Sequence, residues 1–188
     1  MRLRDSLSQY IDICDDFALE IDSISIEREM PKGSIVLETD NKSNKIFYVK
    51  KGLARTFYWK GEKNITHYFF KEGDFSVPIE SVFFSRRSPF GLELLEQSTM
   101  VLIDYRKYTL LKEKYPQLEE VQKQILLNTL RAFSDRFYGT HFQTAKDRYA
   151  MMLDQFPDIL LRAPLGHIAS YLGITQQTLS VIRGQVRF

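Results

Sequence analysis

Cysteine is nearly missing from this sequence: Cys14 is the one thiol in 188 residues. That excludes an internal disulfide and any metal or iron–sulfur site built on cysteines alone. Cys14 falls on the apolar stripe Leu3, Leu7, Tyr10, Ile11, Cys14, which predicts a buried helix residue rather than a reactive thiol. Long apolar runs are lacking too. None approaches the roughly 18 residues that a bilayer-crossing helix needs, and no signal-peptide pattern opens the chain, so a cytoplasmic protein without membrane contact is expected. Neither sign of charge dominates: 26 Lys+Arg against 24 Asp+Glu leave +2, which permits nucleic-acid binding without arguing for it. There is no nucleophile motif, no paired-carboxylate pattern and no Walker loop, so enzyme activity is not expected. His67 lies in a strand pattern, and His141 and His167 stand too far along the chain to make a metal-ligand spacing; no cofactor is expected.

What is present is an ordinary globular mixture, 27% charged and 44% apolar, long enough for one large domain or two small ones with a true core. Three regimes follow one another. Residues 3–30 read as short helices, with apolar spacings of three and four. From Pro31 to about Asp104 the period changes to short β-rich runs at 34–38, 45–50, 53–59, 64–70, 90–95 and 99–104. Turn signals such as "PKG", "TDNKSN", "WKGEKN" and "KEGD" separate them, and this even spacing favours a barrel, roll or sandwich. After Tyr105 the pattern is helical. It gives a short helix over 107–115, a long one from about 116 to 138 without Gly or Pro, and pieces at 144–156, 165–172 and 176–186. The long helix is apolar on two sides. Leu118, Val121 and Ile125 mark one stripe, and Leu126, Leu130, Phe133 and Phe137 mark another. One side would cover the β module; the other would meet a second copy in a homodimer, or be buried within a monomer.

The most specific stretch is "LGHIASYLGITQQTLS", residues 165–180. Counted from Leu165, apolar residues fall at Ile168, Leu172, Ile174, Leu179 and Ile182, with small Ala169 fifth and Gly173 ninth. Two helices crossing through a tight turn need a small residue where they touch and a positive φ where the chain reverses. Thr175 suits the N-cap of the second helix. This is the helix-turn-helix pattern, the bland alternative being an α-hairpin with a glycine corner. The second helix would present Gln176, Gln177, Thr178 and Ser180 to bases and Arg183, with Arg187, to phosphates. Such residues also suit a merely solvated face, and two arginines give modest affinity, so specific binding asks for two copies on one duplex.

The order β module, long helix, helix-turn-helix resembles the Crp/Fnr family of bacterial transcription regulators, closest to its short Bacteroidetes-type members. The resemblance covers nearly the whole chain. It runs from "PKGSIVLETDNKSNKIFYVKKGLARTFY" through "FKEGDF" and "IDYRKYTLLKEKYPQL" to "KDRYAMMLDQFPDILLRAPLGHIASYLGITQQTLSVIR". It implies an α+β fold: an N-terminal cyclic-nucleotide-binding-like jelly roll over 1–115, a dimerisation helix over 116–140 and a DNA-binding helix-turn-helix domain over 141–188. The partners it implies are a double-stranded DNA operator, a second copy of the chain and a small-molecule effector.

The family's effector cassette carries over unevenly. Its Gly-Glu is Gly73-Asp74 here, shorter by one methylene, and Arg87-Ser88 is followed by Pro89 where a donor amide is wanted. Alignment of the next strand puts Ser88 at the phosphate position, and the helix's base-holding Thr-Ser pair falls on Phe133 and Ser134. Cyclic AMP is therefore not the expected effector; a different small anion, an apolar effector or a pocket filled by its own aromatics remain. The recognition helix also departs from its relatives, with Gln177 for a Glu and Val181 for an Arg. The sequence ends at Phe188, so the β-hairpin wing of longer relatives is expected to be reduced or absent. The competing expectation is a sensing or protein-interaction module that keeps this fold but no longer reads DNA.

Overall fold

A computed structural model describes residues 3–185. Helices α1 (Leu3–Leu7) and α2 (Asp15–Ser23) lead into strands β1 (Ser25–Met30), β2 (Ile35–Leu37), β3 (Lys45–Lys51), β4 (Ala54–Lys60), β5 (Lys63–Phe70) and β6 (Phe75–Ser76). Helix α3 (Ile79–Phe84) precedes β7 (Gly91–Leu94) and β8 (Ser98–Asp104). The remainder is helical: α4 (Tyr105–Lys114), α5 (Leu118–Phe142), α6 (Ala145–Gln155), α7 (Ile159–Arg162), α8 (Leu165–Leu172) and α9 (Gln176–Gln185). The strands form two antiparallel four-stranded sheets, ordered β1-β8-β3-β6 and β2-β7-β4-β5. The α+β class and the β-roll followed by a long helix are as expected.

The six expected strands appear within a residue or two of their expected bounds, and two others were hidden. Residues 25–30 were expected to be helical but form β1, paired along its length with β8. It is an edge strand whose Glu27, Arg28 and Glu29 all stay exposed, so it lacks the apolar alternation that marks a half-buried strand. Cys14 is corrected as well. Helix α1 ends at Leu7, and Cys14 is the exposed N-cap of α2. Tyr10 and Ile11 pack on the same cluster as Leu3 and Leu7, but from the connecting segment. Asp15 and Asp16 open a fresh helix, where acidic side chains favour the positive end of the backbone dipole.

Three clusters build the interior. Phe47, Val49, Leu92, Leu94 and Met100 fill the space between the sheets. On the other side of the first sheet, Phe17, Ile21, Tyr48 and Ile103 meet Leu118 and Val121 of α5. The third cluster joins Leu53, Phe69 and Leu95 of the roll to Tyr149, Met152, Phe156, Ile168 and Leu179 of the C-terminal helices. Roll and helices thus share buried surface.

Strand β5 carries the feature that makes this sharing specific. Its ladder with β4 shifts register so that Thr56 faces Tyr68 while Phe57 faces Thr66, leaving His67 as an extra residue. The Thr66 N–H is accepted by Ser170 Oγ of α8 at 3.1 Å, and the His67 carbonyl accepts from the Arg136 guanidinium of α5. Arg136 also donates to the Tyr171 carbonyl at 3.2 Å and lies over that tyrosine's ring. Below this junction Arg162 of α7 sits between Glu72 and Glu96, with Nη2 2.7 Å from a carboxylate oxygen of each.

Candidate functional site

The C-terminal pair of helices has the geometry its sequence demands. Ile168, Ala169, Leu172, Leu179 and Ile182 are buried, with Ile174 half-buried between the helices. Gly173 ends α8 with φ 68 and ψ 34, a left-handed conformation that carries little penalty without a β-carbon. Its N–H bonds the Ser170 carbonyl at 3.2 Å and the next N–H, of Ile174, bonds that of Ala169 at 3.0 Å. This paired closure satisfies the helix's last acceptors and turns the chain out of its axis. Thr175 Oγ1 then accepts the Thr178 N–H at 3.1 Å, capping α9.

Outside this core α9 exposes Gln176, Gln177, Thr178, Ser180, Val181, Arg183 and Gln185. The structure brings the suggested base- and phosphate-facing residues onto one short helix, but they are not equally available. The hydroxyls of Thr175 and Thr178 are 2.9 Å apart and engage each other. Gln176 folds back over α8, its Nε2 2.8 Å from where a β-carbon on Gly166 would stand. Gly166, missed in the sequence, makes room for that amide. Gln177, Ser180 and Arg183 are left as the outward set, flanked by Val181 at 59% exposure. Arg187 lies outside the described residues.

The residues suggested for an effector separate into two groups. Between the second sheet and α5 lies a cavity of about 310 Å³. Phe47, Phe70, Phe75 and Phe90 line it from the roll side, Ile125 and Phe133 from the helix. Ser88 and Phe133 border it; Gly73, Asp74, Arg87 and Ser134 do not. Ser88 is already engaged. Its hydroxyl donates to the Phe90 carbonyl at 3.0 Å and accepts the Phe90 N–H at 3.2 Å, while its own N–H bonds Asn41. The exposed Arg87 donates to the Asp40 carbonyl at 3.2 Å, and Ser134 faces solvent. Phe133, on the second apolar stripe of α5, is half-buried, its ring 5.3 Å from that of His67 and 5.5 Å from Tyr68. His67 in turn stacks on Phe90 at 4.2 Å, and its burial, helped by the Arg136 charge, pulls its pKa down to about 4. The imidazole is therefore neutral near pH 7.

Gly73 and Asp74 form a turn. Gly73 has φ 92, and Asp74 Oδ2 accepts the Lys71 N–H at 2.8 Å. Burial raises the Asp74 pKa to about 6, against the pull of Lys71. A carboxyl whose pKa is higher folded than unfolded opposes folding once ionised, and the penalty fades as pH falls towards its ordinary value of 3.8. Asp74→Asn, which keeps an acceptor for Lys71, is expected to raise stability by roughly 2–3 kcal/mol near pH 8 and by well under 1 kcal/mol near pH 4. Denaturant midpoints measured across that range check this. A pH-independent difference would contradict the assignment.

No family model matches the sequence, and no curated protein matches it either. Solved structures do resemble it. A CooA mutant from Carboxydothermus hydrogenoformans superimposes with a TM-score of 0.71 at 21% identity, over 98% of this chain and 84% of that one. The c-di-GMP-responsive global regulator CLP of Xanthomonas campestris gives 0.69 at 14% identity, over 92% and 91%. A protein of Eubacterium rectale described as a transcriptional regulator of the Crp/Fnr family gives 0.69 at 16%, over 95% and 85%. At these identities the likeness is one of fold.

Proposed function

On the premise that the chain carries the Crp/Fnr-type fold, we propose that it is a homodimeric, cytoplasmic, non-enzymatic transcription regulator. In this reading the roll (1–115) senses an effector other than cyclic AMP, the long helix (116–140) joins two copies, and residues 141–188 bind DNA. The observation that carries the reading is the α8–α9 unit, with its left-handed glycine, capped second helix and outward Gln177, Ser180 and Arg183. The dimer is supported by α5, which leaves Leu126, Leu127, Leu130 and Phe137 exposed along its length, the last two by 65% and 64%. A continuous apolar stripe of this kind is normally covered. A dimer would also double the sparse basic charge of the recognition helices.

Titration of a random-sequence and an operator-enriched duplex at several salt concentrations tests this reading. Four phosphates neutralised by Arg183 and Arg187 of two copies predict a salt slope of about −3.6. The double variant Gln177→Ala/Arg183→Ala is expected to weaken duplex binding at least tenfold, while gel filtration still returns a dimer. No duplex binding at low salt, or a double variant that binds unchanged, would favour the second reading. That reading, a sensing or protein-interaction module, draws on exposed Val181 and on Arg183 as the one basic side chain in α9.

A further inference from the structure

We propose that the cavity between the roll and α5 takes an uncharged, largely aromatic small molecule. This rests on reading the roll as the sensing half of a regulator, and it commits that site to a ligand class.

The charge of the wall decides first. Among the described residues that line the cavity there is no Lys or Arg, and Glu80 is the one formal charge. The nearest basic residue of the degenerate cassette, Arg87, is turned outward onto a backbone carbonyl. An anion entering here would lose its hydration, gain no cation and approach a carboxylate, which disfavours it strongly. His67 supplies no charge, because it is neutral near pH 7.

The remaining lining sets shape and polarity. Phe47, Phe70, Phe75, Phe90 and Phe133 offer ring edges and faces from several sides, which suits a flat apolar body. The lining hydroxyls add little polarity. That of Ser88 is engaged at both ends with Phe90, that of Thr129 donates to the Ile125 carbonyl at 2.8 Å, and that of Thr56 is closed off from the cavity by its neighbours.

A matched pair of probes tests the idea. N-phenyl-1-naphthylamine is apolar, uncharged and carries one N–H; 1-anilinonaphthalene-8-sulfonate has the same skeleton with an added anion. The full-length protein is expected to bind the first saturably, and the second at least tenfold more weakly. Thr129→Phe, which fills the cavity from α5, should lower affinity for the neutral probe at least tenfold. The milder Thr129→Leu, which intrudes less and keeps a good helix former in α5, should lower it about threefold to tenfold and leave the fold intact, so the test survives if the bulkier variant misfolds. The neutral probe should raise the melting temperature, and cyclic AMP and inorganic phosphate should not. Several results would overturn the proposal: no binding of the neutral probe, equal or tighter binding of the sulfonate, neutral-probe binding untouched by either variant, or stabilisation by cyclic AMP or phosphate. Duplex titrations run without probe keep the two readings apart. Duplex binding without neutral-probe binding sinks the ligand class alone; neutral-probe binding with no duplex binding under any condition sinks the regulator alone.

Discussion

Replacing Arg55 by alanine is expected to remove about 3–5 kcal/mol of folding stability, a large part of what a domain of this size possesses. Arg55 lies in the middle of β4 with its side chain 2% exposed. Its Nε and Nη2 reach Glu93 Oε2 at 2.8 and 2.6 Å, and Nη1 donates to Thr66 Oγ1 at 2.9 Å. The group therefore ties β4 to both its neighbours, β7 and β5. Truncation leaves a mostly buried carboxylate and a buried hydroxyl without their donor, and that orphaned charge is what makes the loss large. Urea denaturation measures it. The double variant Arg55→Met/Glu93→Met should regain most of the stability, because no unpaired charge remains. A loss below about 1 kcal/mol, or a double variant no better than Arg55→Ala, would contradict this account.

Phe156→Ala should remove about 3–5 kcal/mol as well, by opening a cavity that cannot readily collapse. Phe156 is 1% exposed at the end of α6, where its ring lies 6.0 Å from Phe69 and 6.3 Å from Tyr68 of the roll, with Lys71 Nζ 5.4 Å from its centroid. Since the roll and the C-terminal helices share this cluster, both should unfold in one transition. Phe69→Ala, made from the roll side, should shift that same transition by a similar amount. Thermal unfolding followed by near-ultraviolet and far-ultraviolet circular dichroism checks the coincidence. Two separated transitions in the unmodified protein would show that the shared cluster does not couple the parts.

Legibility differed from element to element for physical reasons. Strands β3, β4, β5 and β8 could be read because they are runs of apolar and aromatic residues set between turn signals, β3 and β8 being buried on both faces; β1 could not, because an edge strand with charged residues on both faces carries no such run. Strand β6, two residues long, and α7, four residues long, are too short for any period to register. The reversal at Gly173 was plain, since close packing at Ala169 and a positive φ each admit few residue types. The effector residues were least legible. Glycine, aspartate and arginine in a cassette-like order do not reveal that Asp74 caps a turn or that Arg87 points outward. The cavity's own Thr56 and His67 come from strand positions that look merely structural. Nothing in "NITHYFF" marks which residue is the extra one, because register depends on the partner strand.

That extra residue sets a limit on how β5 can vary. Were one residue deleted at position 67, the ladder with β4 could zip into perfect alternation, and by the usual measures the sheet itself would improve. The carbonyl that now receives the Arg136 guanidinium would be gone with the deleted residue, and so would the imidazole wedged between Phe90 and Phe133. A flaw in the weave is what fastens the long helix to this edge of the sheet, so repairing it would work the seam loose.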